Sequence, residues 1–326
     1  MSDSVRTNIF IAHTPLQNFI ASKIVKQYFN DSGINNMLYT TVAWKNKEHF
    51  NSYHFINKNS FFSKTVNTYM AKKEIGRILK SRPCNLFIPH TSALLDNYFF
   101  YSFPREKYGV RINFYYEGIL YFYEYHEPFI PKVHLKRKWF ALLCGFVYKR
   151  NPTIFPEDSS GIYKIYSILP EFTIGPAEKI TKVSILEEDY IGKENCALII
   201  GGKPKALDNS EMISLYELMI QKILSNKRID KIYFKGHHAD QTTNFEDANK
   251  GLLKVDDITQ NSPVEEVIAR YKPSLVVSYP SSALVSLKSM YEDKIEISSY
   301  YIDEKKEHLN KLWPIFEKLQ IQLTLI

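Results

Sequence analysis

The sequence predicts a parallel α/β protein, and three observations carry that reading. Short apolar runs rich in β-branched and aromatic residues alternate with longer stretches of helical periodicity. The alternation occurs twice, once on each side of a stretch at 151–188 rich in Pro, Gly and Ser. The polar motifs fall just after the apolar runs, at the carboxyl ends of the strands, where open parallel sheets bind ligands. Two α/β domains facing a central cleft follow: residues 1–160, a linker at 161–190, and residues 191–326.

In the first half, Asn8–Ala12 reads as a buried strand. Thr14-Pro15 then supplies an N-cap and a proline at the first helical position, opening a helix to about Phe29. Met37–Trp44, Asn85–Pro89 and Arg111–Tyr116 read as further strands. In the second half, Ala197–Ile200 is a strand ending in Gly201-Gly202, Glu211–Leu224 a helix, and Lys231–Phe234 a strand. Ser262-Pro263 opens a short helix, Leu275–Ser278 is a strand, and Ser281-Ser282 opens another helix. Lys294–Ser298 and Glu304–Leu319 close the chain as a strand and a helix.

Composition sets the limits. Over 326 residues, 44% are hydrophobic and 24% charged, which excludes a disordered chain, a coiled coil and a collagen-like fibre. No apolar run approaches the ~18 residues of a spanning helix, and the first residues do not read as a secretory signal. Three widely spaced cysteines form no disulfide or zinc framework and suit a reducing cytoplasm. Lys and Arg total 42 against 35 Asp and Glu, and aromatics reach 14%. Such a surface suits nucleic acid, an anionic membrane or an anionic small substrate. No RNA-binding core or zinc-finger pattern supports nucleic acid, and no Walker A, GxSxG or kinase signature is present.

Five features could carry chemistry. Glu117-Gly118 follows the strand RINFYY, so Glu117 is a candidate general base; a solvated turn glutamate is the alternative. Lys235-Gly236-His237-His238-Ala239-Asp240 follows the strand KIYF, where a histidine can bind or protonate a leaving phosphate. A metal site on His237, His238 and Asp240 is the rival, but no HxxxH or CxxC partner supports it, and no metal is expected. Ser281-Ser282 offers hydroxyls and backbone N–H groups at a helix start, fit for a phosphate or for simple capping. Glu265, in the first turn of its helix, either meets the helix dipole or accepts from ribose hydroxyls. Residues 131–150 hold six Lys or Arg, no acid, and interleaved Trp139, Phe140, Leu142, Leu143, Phe146 and Val147. They read either as a basic amphipathic segment suited to the inner face of an anionic membrane or as a core helix with a solvated basic end.

In order and placement these motifs resemble the bacterial sialyltransferases, the lipooligosaccharide and polysialyltransferase-like families. Those families carry an acidic-acidic-Gly motif, a Lys-x-His-Pro motif and a Ser-Ser or Ser-Thr motif. Here the counterparts are Glu117-Gly118, Lys235-Gly236-His237 and Ser281-Ser282, with Tyr116 in place of the first acid and His238 in place of the proline. Thr14-Pro15-Leu16-Gln17 also looks like the start of these enzymes, which places His13, Gln17 and Gly118 on the acceptor side. The resemblance implies two Rossmann-like domains of the glycosyltransferase-B type. It implies an inverting, metal-independent transfer from CMP-sialic acid to a galactose-type hydroxyl of a bacterial surface glycan. Glu117 would be the base and His237 the group on the leaving phosphate. Gly201, Gly202, Lys235, Gly236, Glu265, Ser281 and Ser282 would hold the nucleotide. A donor carrying another CMP-activated acidic sugar (Kdo or pseudaminic acid) and a non-catalytic protein that binds anionic glycan or membrane are the alternatives. Should Glu117 not be the base, Glu124 and Asp96 come next.

Overall fold

The computed structural model describes residues 7–44, 47–57, 60–122, 126, 129–156, 158–186, 189–202, 208–225, 228–236, 252–254, 262–302, 310 and 312–325. The chain divides into two compact units, Met1–Ser184 and Ile185–Ile326.

The first unit is built on seven parallel strands: β1 (Thr7–Ala12), β2 (Asn35–Thr40), β3 (Ser52–Phe55), β4 (Asn85–Ile88), β5 (Arg111–Tyr115), β6 (Lys164–Ser167) and β7 (Ile180–Lys182). Their order is β3-β2-β1-β4-β5-β6-β7. Parallel neighbours need crossovers, and helices supply most of them. These are α1 (Pro15–Tyr28), α2 (Phe61–Ser81), α3 (Leu94–Tyr101) and α4 (Pro131–Leu143). α1 starts where the sequence predicts, with the Thr14 hydroxyl accepting from the Gln17 N–H at 3.2 Å and Pro15 in the first turn. Every residue of β1 is buried, and Phe10 stacks on Phe87 of β4 at 4.1 Å between ring centroids.

The second unit repeats the design with β8 (Lys193–Ile200), β9 (Lys231–Lys235), β10 (Leu252–Lys254), β11 (Pro273–Ser278), β12 (Glu296–Tyr301) and β13 (Gln322–Leu325). The order is β10-β9-β8-β11-β12-β13, again all parallel. Its described helices are α5 (Asn209–Leu224), α6 (Val264–Tyr271), α7 (Ser282–Tyr291) and α8 (Trp313–Lys318). In both sheets the chain winds outward one way from the first strand and then returns to wind the other way. Each sheet therefore has a switch point, between β1 and β4 in one and between β8 and β11 in the other, and ligands bind beyond the carboxyl ends there.

Three expectations need correction. Residues 161–190 are not a linker, because β6 and β7 lie within them and complete the first sheet. Strands of four and three residues are too short to show an alternating pattern, and Pro170, Gly175 and Pro176 lie in the connection between them. The first unit thus runs to Ser184 and not to residue 160. The strand expected over Met37–Trp44 ends at Thr40, whose hydroxyl accepts from the Val42 N–H at 3.2 Å and turns the chain. The helix expected over Glu304–Leu319 is, in its described part, only Trp313–Lys318, since Pro314 is tolerated in a first turn and not in a helix interior.

A ladder of buried carboxamides sets the register of the first sheet. Asn8 pairs with Asn36 on one side and Asn85 on the other. Asn8 Nδ2 donates to Asn36 Oδ1 at 2.8 Å, and Asn85 Nδ2 donates to Asn8 Oδ1 at 2.9 Å. Removing the central member strands both neighbours, at about 1–3 kcal/mol for each buried group left unpaired. Asn8→Ala should therefore destabilise the first unit by several kcal/mol, well beyond Asn30→Ala in the exposed turn after α1. Denaturant unfolding of the two variants compares them directly, and equal midpoints would remove the ladder from the account.

Candidate active site

Three strand ends of the first unit bring their side chains together. His13 follows β1, His90 follows β4 after Pro89, and Glu117 follows β5 after Tyr116. Two buried tyrosines pin these ends: the Tyr115 hydroxyl donates to the Ile11 carbonyl at 2.6 Å, and the Tyr121 hydroxyl to the Pro89 carbonyl at 2.7 Å. Gly118 has φ 137°, a conformation side chains disfavour, so the chain can turn immediately after the carboxylate.

Glu117 is nearly enclosed. Its Oε2 accepts from Gln17 Nε2 at 3.3 Å and lies 3.3 Å from His90 Nε2. The Ser92 N–H donates to His90 Nδ1 at 3.1 Å. A backbone N–H can only donate, so the neutral ring carries its proton on Nε2, facing the carboxylate. Gln17 is a strut: its Oε1 accepts from the His13 N–H at 2.6 Å while its amide holds Glu117. A second acid stands beside the first. Asp96 of α3 is fully buried, and its Oδ2 accepts from His13 Nε2 at 3.0 Å. Burial, and then the charge of Asp96, push the Glu117 carboxyl up to about 8. Two acids in one dry pocket, each with its own histidine, are the arrangement in which one carboxyl is made a stronger base than usual.

His13 and His90 open onto a pocket of about 490 Å³ in the same unit. Its far wall comes from Lys64 of α2 and from Lys136, Arg137 and Phe140 of α4, and no carboxylate lines it. Burial lowers the pKa of Lys64, and the charges of Lys136 and Arg137 lower it further, so three cations share this wall.

The second unit gathers another set at its own strand ends. Gly201 and Gly202 follow β8; the Gly201 N–H donates to the Lys235 carbonyl at 2.8 Å, and the Gly202 N–H to the Tyr216 hydroxyl at 3.0 Å. Lys235 ends β9 and Gly236 follows it. Glu265, in the first turn of α6, is buried within reach of the Lys235 charge. Burial is the largest effect on both: it lowers Lys235 and raises Glu265 to about 7, while each partner's charge pulls the other way. Ser281 is the N-cap of α7, yet its hydroxyl makes no capping bond. Ser281 Oγ is instead buried without a hydrogen-bond partner among the described residues, and Ser282 begins the helix. His237, His238 and Asp240 lie outside the described residues, as does Glu124. Among the described residues no three His, Cys, Asp or Glu side chains cluster as metal ligands.

The structure thus brings Glu117, Gly118, His13 and Gln17 into one site, and places Gly201, Gly202, Lys235, Gly236, Glu265, Ser281 and Ser282 at the strand ends and helix starts of the other unit. Sequence reasoning overlooked His90 and Lys64, read Lys136 and Arg137 as part of a basic amphipathic segment or a solvated helix end and not as a pocket wall, and held Asp96 only in reserve. His90 stands just past a strand end, the signal that selected the other motifs, and could have been found by it.

The family model described as Alpha-2,8-polysialyltransferase (POLYST) matches residues 45–300. No curated protein matches the chain significantly. Among solved structures, the α/β-galactoside α-2,3-sialyltransferase of the luminous marine bacterium Photobacterium phosphoreum is 14% identical, with TM-score 0.62 and 99% of both chains covered. The UDP-GlcNAc 2-epimerase of Methanocaldococcus jannaschii is 8% identical, with TM-score 0.52, covering 98% of this chain and 88% of that one. The putative UDP-N-acetylglucosamine 2-epimerase of Listeria monocytogenes is 11% identical, with TM-score 0.53, covering 97% and 88%. At these identities the likeness is one of fold, the glycosyltransferase-B architecture of two Rossmann-like domains.

The raised Glu117 carboxyl has a stability signature. Its folded pKa, about 8, lies above the ordinary 4.5, so the fold favours the protonated form. The associated stability is complete below pH ~4.5 and is lost as pH rises through about 8. Glu117→Gln, which cannot ionise, should match wild type in melting temperature near pH 4.5 and overtake it toward pH 8. Parallel melting curves across that range would contradict the assigned shift.

Proposed function

Since the chain belongs to the alpha-2,8-polysialyltransferase family, we propose that it is an inverting, metal-independent sialyltransferase. It moves sialic acid from CMP-sialic acid to a galactose-type hydroxyl of a bacterial surface glycan such as a lipooligosaccharide, an O-antigen or a capsule. The three buried free cysteines suit work in a reducing cytoplasm. The observation that carries the reading is Glu117: a nearly buried carboxylate at a strand end, oriented by Gln17 and His90, with its proton affinity raised by burial and by Asp96.

In the proposed reaction the acceptor oxygen attacks the anomeric carbon of the sialyl group and gives its proton to Glu117. The new C–O bond forms as the bond to the CMP phosphate breaks, and CMP leaves with the electron pair. A weakly acidic hydroxyl needs a base stronger than an ordinary carboxylate, and a carboxyl raised to about 8 is one. The negative charge that develops on the phosphate is met by Lys235, by the Ser281 hydroxyl that no group among the described residues satisfies, and by the start of α7. His237 is assigned to the same oxygen. Glu265 takes the ribose hydroxyls, and the Gly201-Gly202 turn lets the nucleotide approach the backbone.

These roles separate in kinetics. Glu117→Gln should lower turnover by about two or more orders of magnitude with CMP affinity near wild type. Activity within a few-fold of wild type would sink the base assignment. In the wild type, kcat/KM should climb with pH, stand at half its plateau near 8 and level off above it, because the free enzyme must lose the Glu117 proton. Calorimetry should show CMP bound in preference to UMP and AMP. Ser281→Ala with Ser282→Ala should weaken CMP roughly tenfold without abolishing binding, since backbone donors remain. CMP release that survives a chelator supports metal independence, and release that needs added divalent cation refutes it.

A further inference from the structure

Helix α4 has two apolar faces. Phe140 and Ala141 are buried, as is Cys144 just past its end. On the other side Leu135, Trp139 and Leu142 are 57%, 60% and 58% exposed, and their i, i+4, i+7 spacing sets them in one stripe. Val147, beyond the helix, is 71% exposed. An exposed tryptophan among leucines marks a surface that something covers. Lys132 and Lys138 flank the stripe and are exposed, and residues 131–150 hold six Lys or Arg and no acid.

We propose that α4 seats this protein on an anionic lipid bilayer, with Leu135, Trp139 and Leu142 entering the headgroup region and Lys132 and Lys138 meeting lipid phosphates. Charge selects this occupant. A second copy docking the same face would stack two acid-free basic helices, which like-charge repulsion opposes, whereas lipid phosphates neutralise Lys132 and Lys138. The opposite side of the same helix supplies Lys136, Arg137 and Phe140 to the pocket beside His90. The seat therefore brings that pocket to the bilayer, and the acceptor is a lipid-carried glycan; this last step rests on the transferase reading.

The full chain is sedimented with vesicles of phosphatidylglycerol or of phosphatidylcholine, at low and high salt. Phosphatidylglycerol should bind at least tenfold more tightly, and the preference should fade as salt rises. Leu135→Ser, Trp139→Ser and Leu142→Ser together should lower binding at least tenfold while circular dichroism and melting temperature stay near wild type. Absent binding, equal binding to both lipids, or binding that the triple variant retains would overturn the seat. So would a concentration-dependent dimer that the triple variant loses. For the acceptor, the variant should slow transfer to a vesicle-borne glycan and spare transfer to a soluble one; equal slowing of both overturns the lipid-carried assignment. If wild type releases no CMP with either acceptor, the transferase reading fails, while the vesicle arms still decide the seat.

Discussion

The register of β2, β1 and β4 is the constraint on which the first unit's chemistry depends. Parallel strands buried on both faces have almost no alternating pattern to fix their pairing. Here three asparagines fix it, because Asn8 reaches Asn36 and Asn85 only when each stands directly opposite. A slip of one residue would turn the carboxamides to opposite faces and leave each buried without its partner. It would also turn His13, five residues along from Asn8, away from Asp96. The polar ladder lies near the amino ends of the strands and the reacting groups at their carboxyl ends, so the same strands that lock the sheet aim the site.

What the locked ends hold is a controlled imbalance of charge. A protein with seven more basic than acidic groups has cations to spare for an anionic ligand. It has nonetheless buried Asp96 and Glu117 together, where burial and then the charge of Asp96 make Glu117 harder to ionise. The histidines divide the burden: His13 donates to Asp96, and His90, its proton fixed on Nε2 by Ser92, faces Glu117. The second unit pairs opposite charges instead, with Glu265 beside Lys235: burial lowers Lys235 and raises Glu265, and each partner's charge opposes that shift. One unit is built to store a proton acceptor and the other to neutralise an anion.

Much of this was legible in the sequence, for a physical reason. His13 and Gln17 came only from the resemblance of the chain's start to the bacterial sialyltransferases, whereas the β5 end carries Glu117 directly after an apolar run, so that residue could be named before its contacts were known. The second unit's glycines and serines were legible in the same way. The pairs themselves were not, since His13 meets Asp96 across 83 residues and Gln17 meets Glu117 across 100. Asp96 sits in LLDNYFFY, a helix so apolar that its acid reads as an accident of a first turn. β6 and β7 escaped because three or four residues carry no period, and their prolines and glycine resembled a linker. α4 stayed ambiguous because its basic amphipathic and core-helix readings each describe one of its sides.

Ser281 shows how a structure can separate readings that composition leaves together. A serine at a helix start normally satisfies a backbone N–H of the first turn. Its hydroxyl here does not, and is buried with no partner among the described residues, a state that costs about 1–3 kcal/mol. Asp96 Oδ1 and His13 Nδ1 are buried in the same condition beside Glu117. Such atoms occur near both switch points, and elsewhere too, as at Asn85 Oδ1 and Ser286 Oγ. At the strand ends such atoms raise the free energy of the protein, and on the proposed transferase reading a polar ligand that paired them would relieve it, which would favour a hydrogen-bonding substrate over an apolar one.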